Sequence, residues 1–164
     1  MLEVIDRGAC TDCHPVPLLF IHGAWHGAWC WDEHFLNFFA DKGYRALALS
    51  VRGHGNSPTT KPLRACSLAD YVDDVAGVAD GLPTPPAVIG DSMGGLIVQK
   101  YLEKHAAPAG VLMASLPPLG GLRFTTRVVR RIPWRATTAL ITGRALRYFS
   151  TGSGRLVFGR RSRV

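Results

Sequence analysis

Four short apolar stretches limit the fold of this 164-residue chain more than any other feature. Pro17-Leu18-Leu19-Phe20-Ile21, Ala87-Val88-Ile89 and Gly110-Val111-Leu112-Met113-Ala114 are unbroken, the pattern of strands buried on both faces. Tyr44 to Val51 alternates as a further strand. Helical patterns lie between them. Residues 28–42 place Trp29, Trp31, Phe35, Leu36, Phe38 and Phe39 on one wide face and stop at Gly43. Ser67-Leu68-Ala69-Asp70 is a capping-box variant. It opens a helix striped by Leu68, Val72, Val75 and Val78/Ala79 that ends near Gly81. Leu96 to His105 continues as a helix after a sharp glycine turn. Strand–helix alternation with short turns predicts an α/β fold, a parallel sheet covered on both faces.

Length and composition narrow the class. A chain of this size buries about 70% of the surface it exposes when unfolded, so a real core is expected. Apolar residues make up 47% and charged residues 19%, which excludes disorder of the chain as a whole. No apolar run approaches the roughly 20 residues that span a bilayer. Met1 to Arg7 lacks the basic and apolar regions of a signal peptide. Four cysteines do not make a disulfide scaffold, so a reducing cytoplasm is the expected compartment.

The net charge of +7 is unevenly spread. Residues 1–116 hold eight Lys/Arg and twelve Asp/Glu; residues 117–164 hold eleven Arg and no acid. Three regions are expected: a core over 1–116, the start of a helical lid over 117–149, and an irregular Arg/Gly/Ser-rich tail over 150–164. Arg127, Arg130, Arg131 and Arg135 would line one side of a lid helix. Such a face reads first as a solvated lid surface; it also suits peripheral contact with an anionic membrane, whereas nucleic acid is not expected, because no stacking aromatics interleave with it.

Gly90-Asp91-Ser92-Met93-Gly94 matches G-x-S-x-G, with a buried strand before it and a helix after it. A turn that tight brings residues two before and two after the serine against neighbouring backbone, where glycine fits. Ser92 is thereby the candidate nucleophile, lifted above the sheet at a helix N-terminus. Gly90, Gly94 and Gly95 support the turn. Acyl transfer also needs two N–H donors aimed at the developing oxyanion. Met93 is expected to supply one and Ala24, in the loop His22-Gly23-Ala24 after the first buried strand, the other.

Residues 17–116 resemble the N-terminal half of an α/β-hydrolase. His22 to Trp31 is similar to the oxyanion segment of the plant methylesterase and hydroxynitrile lyase branch and its bacterial relatives. Arg52-Gly53-His54-Gly55-Asn56-Ser57 resembles a loop of lysophospholipase-like and esterase members, and Gly90 to Gly95 resembles their elbow. The resemblance implies a serine hydrolase acting on carboxylic esters or related acyl substrates, with no cofactor or metal, and a lid over 117–149. Asp91 departs from the branch, where His more often precedes the serine.

The rest of the triad is not found downstream. In this fold the order is Ser, then acid, then His. Only His105 follows Ser92, and no Asp or Glu follows residue 103. His105 lies about 20 Å along the helix, too far to act as base. Relative to the family the chain is expected to be C-terminally truncated, by on the order of 100 residues. Residues from about 151 onward fit an out-of-frame translation. The expected architecture is an incomplete, doubly wound, mostly parallel sheet with a partial helical lid, its last strand an exposed edge. Two alternatives accompany the hydrolase reading: an inactive remnant, and a basic protein that binds membrane or nucleic acid.

Other signals are weaker. Cys10-Thr11-Asp12-Cys13-His14 matches C-x-x-C-H, the haem attachment pattern. Without export or further ligands it reads as a surface loop. Trp29 and Trp31 are expected to pack their helix on the sheet. Trp25 and His26 are candidates for an acyl pocket, and Arg52 and His54 are expected to fix their loop.

Overall fold

The apolar runs become the middle of a five-stranded sheet. A computed structural model describes residues 1–118, which form one compact unit. The expected lid over 117–149, its arginines and the tail over 150–164 therefore lie almost wholly outside the described residues. In chain order the strands are β1 (Val4–Arg7), β2 (Leu18–Ile21), β3 (Ala46–Leu49), β4 (Ala87–Asp91) and β5 (Gly110–Met113). Their spatial order is β1-β3-β2-β4-β5. β3, β2, β4 and β5 run parallel, and β1 joins β3 antiparallel at one edge.

Side chains alternate across the sheet, and each set has its own cover. Leu19, Ile21, Leu47, Leu49 and Val88 point to one face. There they meet Val72 and Val75 of α3 (Leu68–Asp80) and Ile97, Val98 and Tyr101 of α4 (Met93–Leu102). Phe20, Ala46, Ala48 and Ile89 point to the other face, against Trp31 of α1 (Trp29–Asp32) and Leu36 of α2 (Phe35–Asp41). β3 carries alanines on this second face, and they leave room for the rings of Phe20 and Trp31, whose centroids lie 5.1 Å apart. Each large side chain buried here contributes about 1.5–3 kcal/mol.

Ser67 caps α3 in both directions. Its hydroxyl accepts from the Asp70 N–H, and the Asp70 carboxylate accepts from the Ser67 N–H. Two backbone donors are satisfied at once, which fixes where the helix begins.

Two expectations need correction. The helix expected over 28–42 is two pieces, because His34 leaves the helical region at φ −143°. Six large side chains do not fit one buried face: Trp31 and Leu36 are buried, whereas Phe35 and Phe38 stay exposed. β1 carries no apolar run and shows no strand pattern in the sequence. Only its Ile5 is partly buried, and the strand is held by its ladder to β3 and by the Asp6–Arg45 ion pair. β5 carries the apolar pattern of a buried strand but lies at the sheet edge, as expected for the last strand: Val111 and Leu112 are each 47% accessible, and β4 is its one ladder neighbour among the described residues.

Candidate active site

β4 ends at Asp91 and α4 begins at Met93, so Ser92 alone turns the chain between them. Its backbone sits at φ 53° and ψ −111°. An L-residue with positive φ is held there at a cost of order 1–3 kcal/mol. The surroundings enforce it. The Ser92 N–H donates to the Met113 carbonyl at 2.8 Å, and the Ser92 carbonyl accepts from Leu96 and Leu116, each at 3.2 Å.

The glycines of the turn are explained by contact. A Cβ on Gly90 would collide with the Gly94 carbonyl. One on Gly94 would collide with the Ile21 carbonyl and lie 2.7 Å from that of His22. One on Gly95 would lie 2.6 Å from Ser115 Cβ. α4 thus enters directly over the end of β2, and the elbow is pressed against the loop that follows β2.

That loop is His22-Gly23-Ala24. A Cβ on Gly23 would lie 3.3 Å from Ser92 Cβ and 3.2 Å from Asp91 Oδ2. The structure therefore brings Gly23, Asp91 and Ser92 together. Among the described residues, neither the Ala24 N–H nor the Met93 N–H has a hydrogen-bond acceptor, and Ser92 Oγ has no hydrogen-bond partner.

His22 is fully buried. Its Nε2 accepts the Val51 N–H at 3.2 Å, and its Nδ1 lies 2.7 Å from the Gly23 carbonyl. A carbonyl can only accept, so Nδ1 carries the proton and both ring nitrogens are engaged. Burial pushes the imidazole down to about 4, so it is neutral near pH 7. It ties β2, β3 and the glycine loop together and has no nitrogen left to serve as a base. His26 Nδ1 faces the Ala24 carbonyl at 2.9 Å, which steadies the same loop. Trp25 stands at the loop with φ 64° and is 42% exposed.

Trp29, expected to pack, is half exposed and stacks on His26 with centroids 5.8 Å apart. α1 spans four residues, so its short arc turns Trp31 inward and leaves Trp29 at the rim. His105 lies beyond the far end of α4 from Ser92 and stacks on Tyr101 at 4.7 Å.

Sequence reasoning missed a polar hub behind the loop. Ser50 Oγ accepts the Ala28 N–H at 2.7 Å and donates to Glu3 Oε2. Glu3 also accepts from the Asn56 backbone and side chain, and the Glu3 N–H donates to Ser57 Oγ at 2.8 Å. The Ser50 hydroxyl, followed by the Asn56 amide, holds the Glu3 carboxyl below its usual range. A Cβ on Gly55 would collide with Glu3 and Ser50, so the hub also requires that glycine. No sequence pattern links these residues.

The next loop hangs on α3. Arg52 donates its backbone N–H to Asp74 at 2.8 Å and its guanidinium to the same carboxylate at 2.6–3.0 Å, with Asp70 at 3.2 Å. His54 Nδ1 contacts the Arg52 carbonyl at 3.2 Å. Among the described residues, no cluster of three His, Cys, Asp or Glu side chains is placed to hold a metal ion.

Known proteins resemble this chain. A non-heme chloroperoxidase of Burkholderia pyrrocinia is 37% identical over 109 residues, 63% of this chain and 38% of its own length. A bifunctional esterase/perhydrolase of Acinetobacter calcoaceticus is 35% identical over 108 residues, with the same two coverages. The matched stretch is thus under two-fifths of either relative. A crystal structure from work on carboxylesterases of the thaumarchaeon Nitrososphaera gargenis superposes with a TM-score of 0.62 at 26% identity, covering 78% of this chain and 48% of that one. The model of the alpha/beta hydrolase family matches residues 18–163, from the start of β2 almost to the last residue. This chain belongs to the alpha/beta hydrolase family.

Proposed function

We propose that the chain carries the nucleophile half of a serine hydrolase site for carboxylic esters or related acyl substrates. Ser92 is the nucleophile in this reading, and the Met93 and Ala24 N–H groups form the oxyanion hole. The observation that carries it is the positive φ of Ser92 at a strand–helix junction pressed against Gly23. A residue is held in such a conformation where the surrounding fold over-determines it, commonly at an active site. The esterase/perhydrolase relative supports the choice of acyl chemistry.

In the reaction Ser92 Oγ would attack the acyl carbon, and the carbonyl oxygen would take the negative charge. Two preorganised N–H donors hold that charge without reorganisation, and each such donor is worth about 100- to 1,000-fold in kcat. The ester C–O bond then breaks, the alcohol leaves with a proton, and water hydrolyses the acyl-serine. Trp25 and His26 stand at the loop beside this position as candidate contacts for the acyl group. Four free thiols fit a reducing cytoplasm as its compartment. Peripheral membrane contact through the basic stretch after residue 118 belongs to the same reading.

A second reading is an inactive hydrolase remnant. It is favoured by the Ser92 hydroxyl, which has no imidazole bonded to it among the described residues, and by His22, whose nitrogens are both engaged. A fluorophosphonate probe separates the two. Under the first reading the folded chain is labelled at Ser92 and the Ser92→Ala control is not. A folded, unlabelled chain overturns the first reading and supports the second.

A further inference from the structure

The loop between β1 and β2 holds two thiols that the hydrolase reading does not use. Cys10 and Cys13 are both exposed and free. The loop itself is well anchored. Thr11 and His14 exchange backbone hydrogen bonds in both directions, at 3.2 and 3.0 Å, and so close a two-residue turn over Asp12-Cys13. Thr11 Oγ1 donates to the Gly43 carbonyl at 3.1 Å, and the His14 ring packs on Tyr44 at 3.9 Å. The two non-cysteine anchors are thus tied to the segment between α2 and β3, while both cysteines face solvent.

We propose that Cys10 and Cys13 are a dithiol site that closes reversibly to a disulfide by exchange with a low-molecular-weight disulfide. Fully extended, residues three apart span about 10 Å, more than a disulfide bridges. The Thr11–His14 turn folds the chain back within that span and shortens it. A bond between the two closes a small ring in a loop whose anchors stay in place, so the sheet is undisturbed. The co-reactant has room: Cys10 borders a cleft of about 380 Å³ that also holds Arg45, Asp6 and Thr84.

The step balances. One thiolate attacks the small disulfide, forms a mixed disulfide and releases one small thiol. The second cysteine attacks that mixed disulfide and releases the other small thiol. Two protons leave the protein, its two sulfurs are oxidised, and the small disulfide is reduced to two thiols.

The test uses the full chain and oxidised glutathione, read by intact mass and peptide mapping. The expected product is about 2 Da lighter, with Cys10 linked to Cys13, and dithiothreitol restores it. Cys10→Ser and Cys13→Ser should each stop at the glutathione adduct, because the resolving thiol is gone. Its decay should be at least about tenfold slower than in the parent chain. A parent chain that keeps the adduct, stays unmodified, or links either cysteine to Cys30 or Cys66 overturns the proposal.

Discussion

Acidification between about pH 6.5 and pH 4 should destabilise this protein through His22. The ring is fully buried, accepts from Val51 at Nε2 and donates to Gly23 at Nδ1. Protonating Nε2 would set an N–H against the Val51 N–H and place a charge in the core. Burial is the largest cause of the lowering, and the neighbouring His54 and His26 oppose the charge further, while Glu3 works the other way. The imidazole titrates at about 4 when folded, against 6.5 when free. The unfolded chain therefore binds the proton first. The contribution of His22 is complete above about pH 6.5 and drains away down to about pH 4, at about 1.4 kcal/mol per pH unit. Its sum is about 3 kcal/mol, a large part of the stability of a domain this size. His54, also lowered by burial, adds in the same direction. Glu3 is held below its ordinary 4.5, so its loss comes at lower pH and leaves the upper window to histidine. Urea unfolding at a series of pH values between about 4.5 and 7, followed by tryptophan fluorescence, measures the slope. His22→Gln should be less stable at neutral pH and show a shallower slope. A flat profile for the parent chain, or a slope unchanged in His22→Gln, would refute the assignment.

Two further substitutions test the elbow. Ser92→Gly removes the side chain from a φ of 53° and should stabilise the fold by about 1 kcal/mol in urea while abolishing probe labelling. Gly94→Ala drives a methyl into the carbonyls of Ile21 and His22, backbone atoms that cannot swing aside, and should cost about 3 kcal/mol or more. Gly77→Ala is its counterpart in mid-α3, where a new Cβ meets nothing within 4 Å. It should raise the melting temperature by about 2–4 °C.

The parts legible in the sequence are those whose signal is local. Ala87-Val88-Ile89 is apolar without a break because both faces of β4 are covered, and the same holds for β2. The capping box of α3 spans four residues and is met as read. The elbow glycines could be named because the turn itself forces the close approach, whatever lies across from it. β1 escaped because an edge strand with one half-buried residue needs no apolar pattern. The break at His34 escaped because aromatic spacing alone does not say how many rings the sheet will accept; two of the six proved fully buried.

The site divides along the same line. Ser92, Gly23 and Gly94 follow from motif spacing, whereas Glu3 and Ser50 are 47 positions apart, and Glu3 and Asn56 are 53 apart. Their meeting depends on β1 lying antiparallel beside β3, which no local pattern encodes. Yet that hub anchors the loop beside Ser92. Ser50 holds Ala28 at one end of the loop from Gly23 to Ala28, His22 holds Val51 and Gly23 at the other, and α4 seats Gly94 on the end of β2. Every one of these contacts lies within residues 1–118. The backbone position of Ser92 beside Gly23 is therefore set within β1, β2, β3, β4 and α4. Under the proposed reading, probe labelling of the folded chain asks whether a base reaches Ser92 while the backbone of the elbow stays in place.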